Sequence, residues 1–359
     1  MNHLQLKEVD DLLLQQNPRM IESQIIDYIM ALREDGISYS TIQYLIAPVF
    51  TFYQLNDILL NRKKVSRYLG EYKRIVKDTA YTVEQIQIAL QNADQRMRML
   101  LLILCSTGCR IGSLADLTLG NLTKKPKFGL YRITFYEGTN SEYYTFTTRE
   151  ATTTGIDAYL EFRQRCGERI AFNEDTQQWE PASTPLFRKQ FDYNDSLQAK
   201  HPQPVTTWSI RMALTSHLIK CGLREFEYPI TPKSSNRVRK QIPLSNGFRK
   251  RVISTFIEAQ LSHEIREKIV DHDTGLDSNY FRPSEDQVLQ EYLKAEPYLT
   301  IDPSVRLSNE NKILKIKADK VDAALERIMK MEQQLGLDLL NCVFDCNLNL
   351  LTFETLLYL

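Results

Sequence analysis

Little in this sequence points to a cofactor. Its six cysteines (Cys105, Cys109, Cys166, Cys221, Cys342 and Cys346) are scattered, no Cys-x-x-Cys occurs, and the five histidines stand well apart. That spacing argues against a zinc site and against a disulfide framework, so no metal and no cofactor are expected. No signal-peptide pattern is visible at the start, and the cysteines are expected as reduced thiols of a cytoplasmic protein. No window is apolar for long enough to cross a membrane. There is also no charge excess: Lys plus Arg and Asp plus Glu number 45 each. Global charge therefore gives no support for a nucleic-acid partner, and any such role must rest on local clusters.

What is present, over 359 residues, is enough for two domains with proper cores and a tail. After a leader of about 18 residues, Ile21, Ile25, Ile26, Tyr28, Ile29 and Leu32 recur at helical spacing. Gly36-Ile37-Ser38 breaks that helix, and Ser40 is placed to cap a second one through Ile46. Pro48 and Asn56-Asp57 punctuate a third segment, and Ser66 to Thr79 reads as a fourth. Residues 1–79 are thus expected as a small helical domain. Its end is basic, with Arg62, Lys63, Lys64, Arg67, Lys73 and Arg74. Such a cluster is either a solvated helix face or a phosphate-contacting one, which positions a protein on DNA without reading sequence.

Residues 80–300 read as a second domain. Thr82 caps its first helix, and Met97 to Cys105 is apolar nearly all round, as a central core helix must be. Directly after it, Gly108 allows a turn and Arg110 emerges beside the core, where a guanidinium needs an anionic partner. Leu130–Tyr136 and Glu142–Thr148 form a hairpin around Glu137–Ser141, a turn that carries Asn140 and no lysine; Lys127 is the nearest lysine before it. Residues 151–170 read as a helix, Phe172–Pro204 as a long irregular insertion, and Val205–Gly222 as a helix again. The loop 231–240, with Arg237, Arg239 and Lys240, is either a linker or a backbone-contacting arm. The fold class is mostly α with a small antiparallel β-hairpin or sheet. Residues 301–359 form a tail: Leu307, Leu314, Val321, Ile328 and Leu335 fall every seventh residue of a helix, but the facing row is half polar, a weak coiled-coil seam.

The stretch from Ser245 to Pro283 carries the chemistry. Arg249 and Lys250 open a basic helix, a short helix Glu264–Val270 delivers His272 to a loop, and Tyr280 precedes Phe281-Arg282-Pro283. An arginine forks onto a phosphate, an imidazole moves a proton and a tyrosine can attack phosphorus. In this order the motifs resemble the tyrosine recombinase (phage integrase) family, over roughly residues 20–300. Ser106-Thr107-Gly108-Cys109-Arg110 is similar to the turn that carries the family's first arginine. Asn246-Gly247-Phe248-Arg249 is similar to its His-x-x-Arg, and Tyr280 to its nucleophile. The wording Gly-Phe-Arg-Lys and Asn-Tyr-Phe-Arg-Pro looks closest to archaeal integrases.

The resemblance implies a site-specific recombinase of a mobile element that works as a tetramer on double-stranded DNA, with no membrane. In it Tyr280 forms a 3′-phosphotyrosyl link, Arg110 and Arg249 neutralise the phosphate, and His272 handles a proton. The departures are Asn246 for the family's histidine and Asn140 in a turn where the family carries a lysine. A type IB topoisomerase-like relaxase, or an impaired relative that only binds DNA, are the alternatives.

Overall fold

The computed structural model describes residues 12–13, 17–72, 78–225, 241–272, 282–307, 311 and 325–330. The chain divides into two units, Met1–Ala80 with Arg224–Gly247, and Tyr81–Leu223 with Phe248–Leu359. The architecture is mostly α with small antiparallel sheets.

The first unit contains α1 (Pro18–Glu34), α2 (Tyr39–Leu55) and α3 (Arg62–Ser66). Asn17 caps α1 from a site followed by proline, which suits an N-terminus because proline has no N–H to satisfy. The apolar stripe Ile21, Ile25 and Ile29 packs with Ile42, Ile46, Phe50 and Tyr53 of α2 and with Val65 and Leu69. Two expectations are corrected here. The cap of α2 is Ser38 rather than Ser40, and the helix runs through Pro48. Pro48 sits on the exposed side, where water can satisfy the carbonyl one turn back that loses its partner. The helix expected from Ser66 does not form over the described residues. After α3 a short 3-10 turn, Arg67–Leu69, ends at Gly70, whose φ is 81°. The described residues of 224–247 join this unit, with Thr79 N–H donating to Gln241 O (2.9 Å) and Arg224 Nη1 to Ile242 O (3.1 Å).

The second unit is built around α5 (Gln95–Thr107), which follows α4 (Val83–Gln91). From Met99 to Thr107 every residue of α5 is buried, as its all-round apolar sequence requires. Three strands follow: β1 (Leu122–Lys125), β2 (Leu130–Phe135) and β3 (Tyr143–Phe146), antiparallel in that order, with Ile133 opposite Leu122 on one side and Thr145 on the other. A π-helical segment, Ala151–Asp157, continues into α6 (Ala158–Arg165), which stops earlier than the expected residue 170. Gly155 allows the close approach, since a Cβ there would stand 3.3 Å from Leu102 of α5.

The segment expected as an irregular insertion is instead a folded layer, with a hairpin β4 (Ala171–Asn173) and β5 (Gln178–Glu180) and a short α7 (Ser196–Lys200). Beside the buried Trp179, Leu186 and Phe187 it holds a buried polar cluster, which apolar patterning misses. Arg163 Nε donates to Glu168 Oε2 (2.9 Å) and its Nη1 to Pro185 O (3.0 Å) and Leu186 O (2.9 Å). Arg188 Nη1 donates to the same carboxylate (2.5 Å) and to Ala199 O (2.9 Å). All three side chains are buried.

The unit closes with α8 (Thr207–Lys220), α9 (Asn246–Glu258), α10 (His263–Ile269) and α11 (Glu285–Leu299). Ser284 and Gln287 form a capping box on α11. This helix runs through Pro297 to Leu299, and its last turn is braced from outside. Arg251 of α9 donates to Tyr298 O (3.0 Å) and Leu299 O (3.4 Å), and Arg149 Nη1 to Glu296 (2.6 Å). Of the expected seam in the tail, Leu307 and Ile328 are exposed, and Leu314, Val321 and Leu335 lie outside the described residues.

Replacing Glu168 by alanine leaves two guanidiniums buried without their shared carboxylate. Denaturant unfolding of Glu168→Ala is expected to show a loss of about 3–5 kcal/mol; a loss under about 1 kcal/mol, the range of an exposed pair, would mean that the triad carries no such weight.

Candidate active site

Helix α5 ends at Gly108, in the left-handed region at φ 60°. A Cβ there would lie 3.1 Å from the side chain of Val252, so α9 can approach only because this residue is glycine. The chain then turns through Cys109 to Arg110, which is half-exposed. From α9, Arg249 reaches the same place: its Nη1 donates to Gly108 O (2.8 Å) and its Nη2 to Val270 O. Arg110 Nη2 donates to the next carbonyl, Asp271 O (2.9 Å), and its Nη1 pairs with the Asp271 carboxylate. Two guanidiniums from distant parts of the sequence are thus hung on consecutive carbonyls of one turn. Burial lowers the pKa of Arg249 from its usual value, and the nearby charge of Arg110 adds to this.

That turn is the C-terminus of α10. His272 N–H donates to Glu267 O (2.9 Å) and Asp271 N–H to Lys268 O (3.2 Å), the paired bonds of a Schellman motif. The position that glycine usually fills there is Asp271, at φ 53°. Aspartate is among the residues that tolerate this conformation. The motif folds the chain back so that the His272 ring meets the Glu267 side chain, with Nδ1 to Oε2 at 2.6 Å. Sequence reading named Arg110, Arg249 and His272, and the structure brings them to this turn. It named neither Glu267 nor Asp271.

Other expected residues fall as follows. Asn246 is exposed at the first position of α9, three residues before Arg249. Lys250 follows Arg249 and is partly buried. Asn140 is exposed in the turn between β2 and β3, and Lys127 lies in the turn between β1 and β2. These turns are at opposite ends of β2, whose six residues span about 20 Å. In the first unit Lys64 is bonded to Glu22 (2.9 Å) and Arg62 lies over the Phe50 ring (5.1 Å), while Lys63 and Arg67 are exposed. Tyr280, Lys73, Arg74, Arg237, Arg239 and Lys240 lie outside the described residues.

Two neighbours of the arginines went unnoticed in the sequence. Cys109 is buried, and burial pushes its thiol up to about 11, so it stays protonated at neutral pH. Tyr143, at the start of β3, is buried and its hydroxyl has no partner among the described residues. Burial raises its pKa above the usual value, and Arg249 acts in the opposite direction. Tyr292 of α11 is excluded as a nucleophile, because it is fully buried and donates its hydroxyl to Ser106 O (3.0 Å). Among the described residues no group of acidic, histidine and cysteine side chains is disposed to hold a metal ion, and no helix is long and apolar enough to cross a membrane.

No family model matches the chain, and no curated protein matches it in sequence. Some solved structures resemble it in shape. A Tn1549 transposon integrase in complex with circular intermediate DNA is 15% identical, covering 79% of this chain and 89% of that one, at a TM-score of 0.48. A XerH site-specific recombinase bound to palindromic difH substrate is 13% identical, covering 82% of this chain and 72% of that one, at 0.44. A lambda integrase tetramer bound to a Holliday junction is 14% identical, covering 73% and 64%, at 0.42. At these scores they are likenesses only.

Among the described residues the Tyr143 hydroxyl is unpaired, so deleting it removes a desolvation penalty and no hydrogen bond seen there. Tyr143→Phe is expected to match or exceed the parent in stability, by up to about 1 kcal/mol in thermal or denaturant unfolding; a clear loss would reveal a partner for that hydroxyl.

Proposed function

We propose that this chain is a site-specific tyrosine recombinase, an enzyme that cleaves and rejoins double-stranded DNA. The observation that carries the reading is the pair Arg110 and Arg249, aligned on Val270 O and Asp271 O beside His272. An isolated structural arginine has no need of a second guanidinium next to it. A phosphodiester in transit has, because charge builds on its two non-bridging oxygens.

In this reading Tyr280 attacks phosphorus, a 3′-phosphotyrosyl ester forms, and the 5′-oxygen departs. The ester keeps the energy of the broken bond, so rejoining needs no nucleotide cofactor. Neither arginine can give up a proton at neutral pH, so proton handling falls to His272. Lys63 and Arg67, exposed on the first unit, fit phosphate contacts, as do Lys73, Arg74 and the 231–240 loop by composition. The reading extends to a tetramer on DNA, a mobile-element role, a cytoplasmic setting and a likeness to archaeal integrases, the last resting on the wording around Arg249 and Tyr280. A second reading, DNA binding without cleavage, is favoured by one observation: the β2–β3 turn has the exposed Asn140 and no lysine to protonate a leaving oxygen. An amide has no labile proton for that task.

A nicked suicide duplex separates the two, since only an active tyrosine leaves a covalent DNA adduct. Tyr280→Phe is expected to bind DNA and form none; an adduct that survives this change would sink the assignment. Arg110→Lys is expected to lose cleavage by at least about a hundredfold, because an ammonium cannot fork onto two oxygens. Near-parental cleavage would assign Arg110 to its contact with Asp271 alone.

A further inference from the structure

We infer that Glu267 is a positioning residue for His272, holding the imidazole in the tautomer that carries its proton on Nδ1 and leaves Nε2 unprotonated. The inference rests on the recombinase reading for its catalytic consequence, but not for its geometry. The ring nitrogen stands 2.6 Å from Oε2, and Glu267 is largely buried while the His272 ring is 41% exposed. The other carboxylate oxygen, Oε1, accepts from Arg266 Nε (3.1 Å). Burial pulls the Glu267 carboxyl up, yet the hydrogen bonds from His272 and Arg266 outweigh it and hold the pKa below the usual carboxylate value. Glu267 is therefore ionised at neutral pH. An ionised carboxylate only accepts, so Nδ1 must be the donor.

A free histidine side chain prefers its proton on Nε2. The local fold reverses that preference. The Schellman turn sets His272 back over the last turn of α10, and the backbone bond from His272 N–H to Glu267 O (2.9 Å) ties the same two residues a second time. With Nδ1 occupied, Nε2 has a lone pair to take the proton of an attacking hydroxyl, and the carboxylate balances the imidazolium that results. Neither Asn246 nor Asn140 can take a proton in its place.

Glutamine is a sharp test, because it has one oxygen where two are in use. Arg266 can only donate and takes that oxygen, so the amide NH2 turns to Nδ1 and forces the proton onto Nε2. Nitrogen-15 NMR of histidine-labelled full-length protein without DNA, with the His272 signals assigned by their loss in His272→Gln, reads the tautomer directly. The expected result is Nδ1–H in the parent and Nε2–H in Glu267→Gln. A parent ring protonated on Nε2, or a tautomer unchanged by the substitution, overturns the inference.

On the suicide duplex, Glu267→Gln and His272→Gln are each expected to lower the cleavage rate by about a hundredfold, with DNA affinity held. The double variant is expected to be no slower than His272→Gln, since the two act as one unit. Additive losses would make Glu267 a structural residue. If the parent forms no adduct at all, the recombinase reading fails and the NMR result still decides the tautomer.

Discussion

The candidate site depends on how one short helix ends. The C-terminal turn of α10 offers Val270 O to Arg249, Asp271 O and its carboxylate to Arg110, and Glu267 to His272. Each group comes from a different distance along the chain: Arg110 from the end of α5, Arg249 from α9, and His272 from the turn itself. What brings them into register is the left-handed conformation of Asp271, which turns the backbone after Ile269 and aims successive carbonyls at the two guanidiniums. A residue that refused a positive φ would strain the turn and disturb all of these contacts together. Helix α9, which carries Arg249, reaches the end of α5 because Gly108 lacks a Cβ where Val252 comes close.

The same device recurs away from the site. Arg251 holds the end of α11 by Tyr298 O and Leu299 O, Arg163 holds Pro185 O and Leu186 O, and Arg188 holds Gln198 O and Ala199 O. A guanidinium has five N–H donors in a rigid plane, so a buried arginine can fasten a loop or helix end that has no hydrogen-bond ladder of its own. It also explains how a segment with few apolar residues, 171–204, is folded. The anchors of α11 include a tyrosine as well, Tyr292 to Ser106 O, so the helix after the 272–282 stretch is fastened to the core helix α5.

The parts legible in the sequence were those with a periodic or a capping signal. The all-apolar run of α5, the β2–β3 hairpin and the cap at Thr82 follow from residue type and spacing alone. Arg110, Arg249 and His272 were legible because their order matched a known pattern. Glu267 and Asp271 were not, since a carboxylate five residues before a histidine, or an aspartate in a glycine position, carries no periodic signal. Arg163, Glu168 and Arg188 read as surface charges until their partners are seen. Pro48 reads as a break in the pattern, because its cost is local and solvent can meet the carbonyl it frees.

The choice of main-chain carbonyls as partners has a consequence for ionic strength. Counterions screen exposed charge pairs over a Debye length of about 8 Å at physiological salt, and buried contacts much less. Arg249 is buried and bonded to neutral acceptors, so added salt leaves its placement intact. Arg110 is partly exposed and faces a carboxylate, so its hold weakens as salt rises. One guanidinium is therefore a fixture and the other is exchangeable, released from aspartate to whichever anion competes for it.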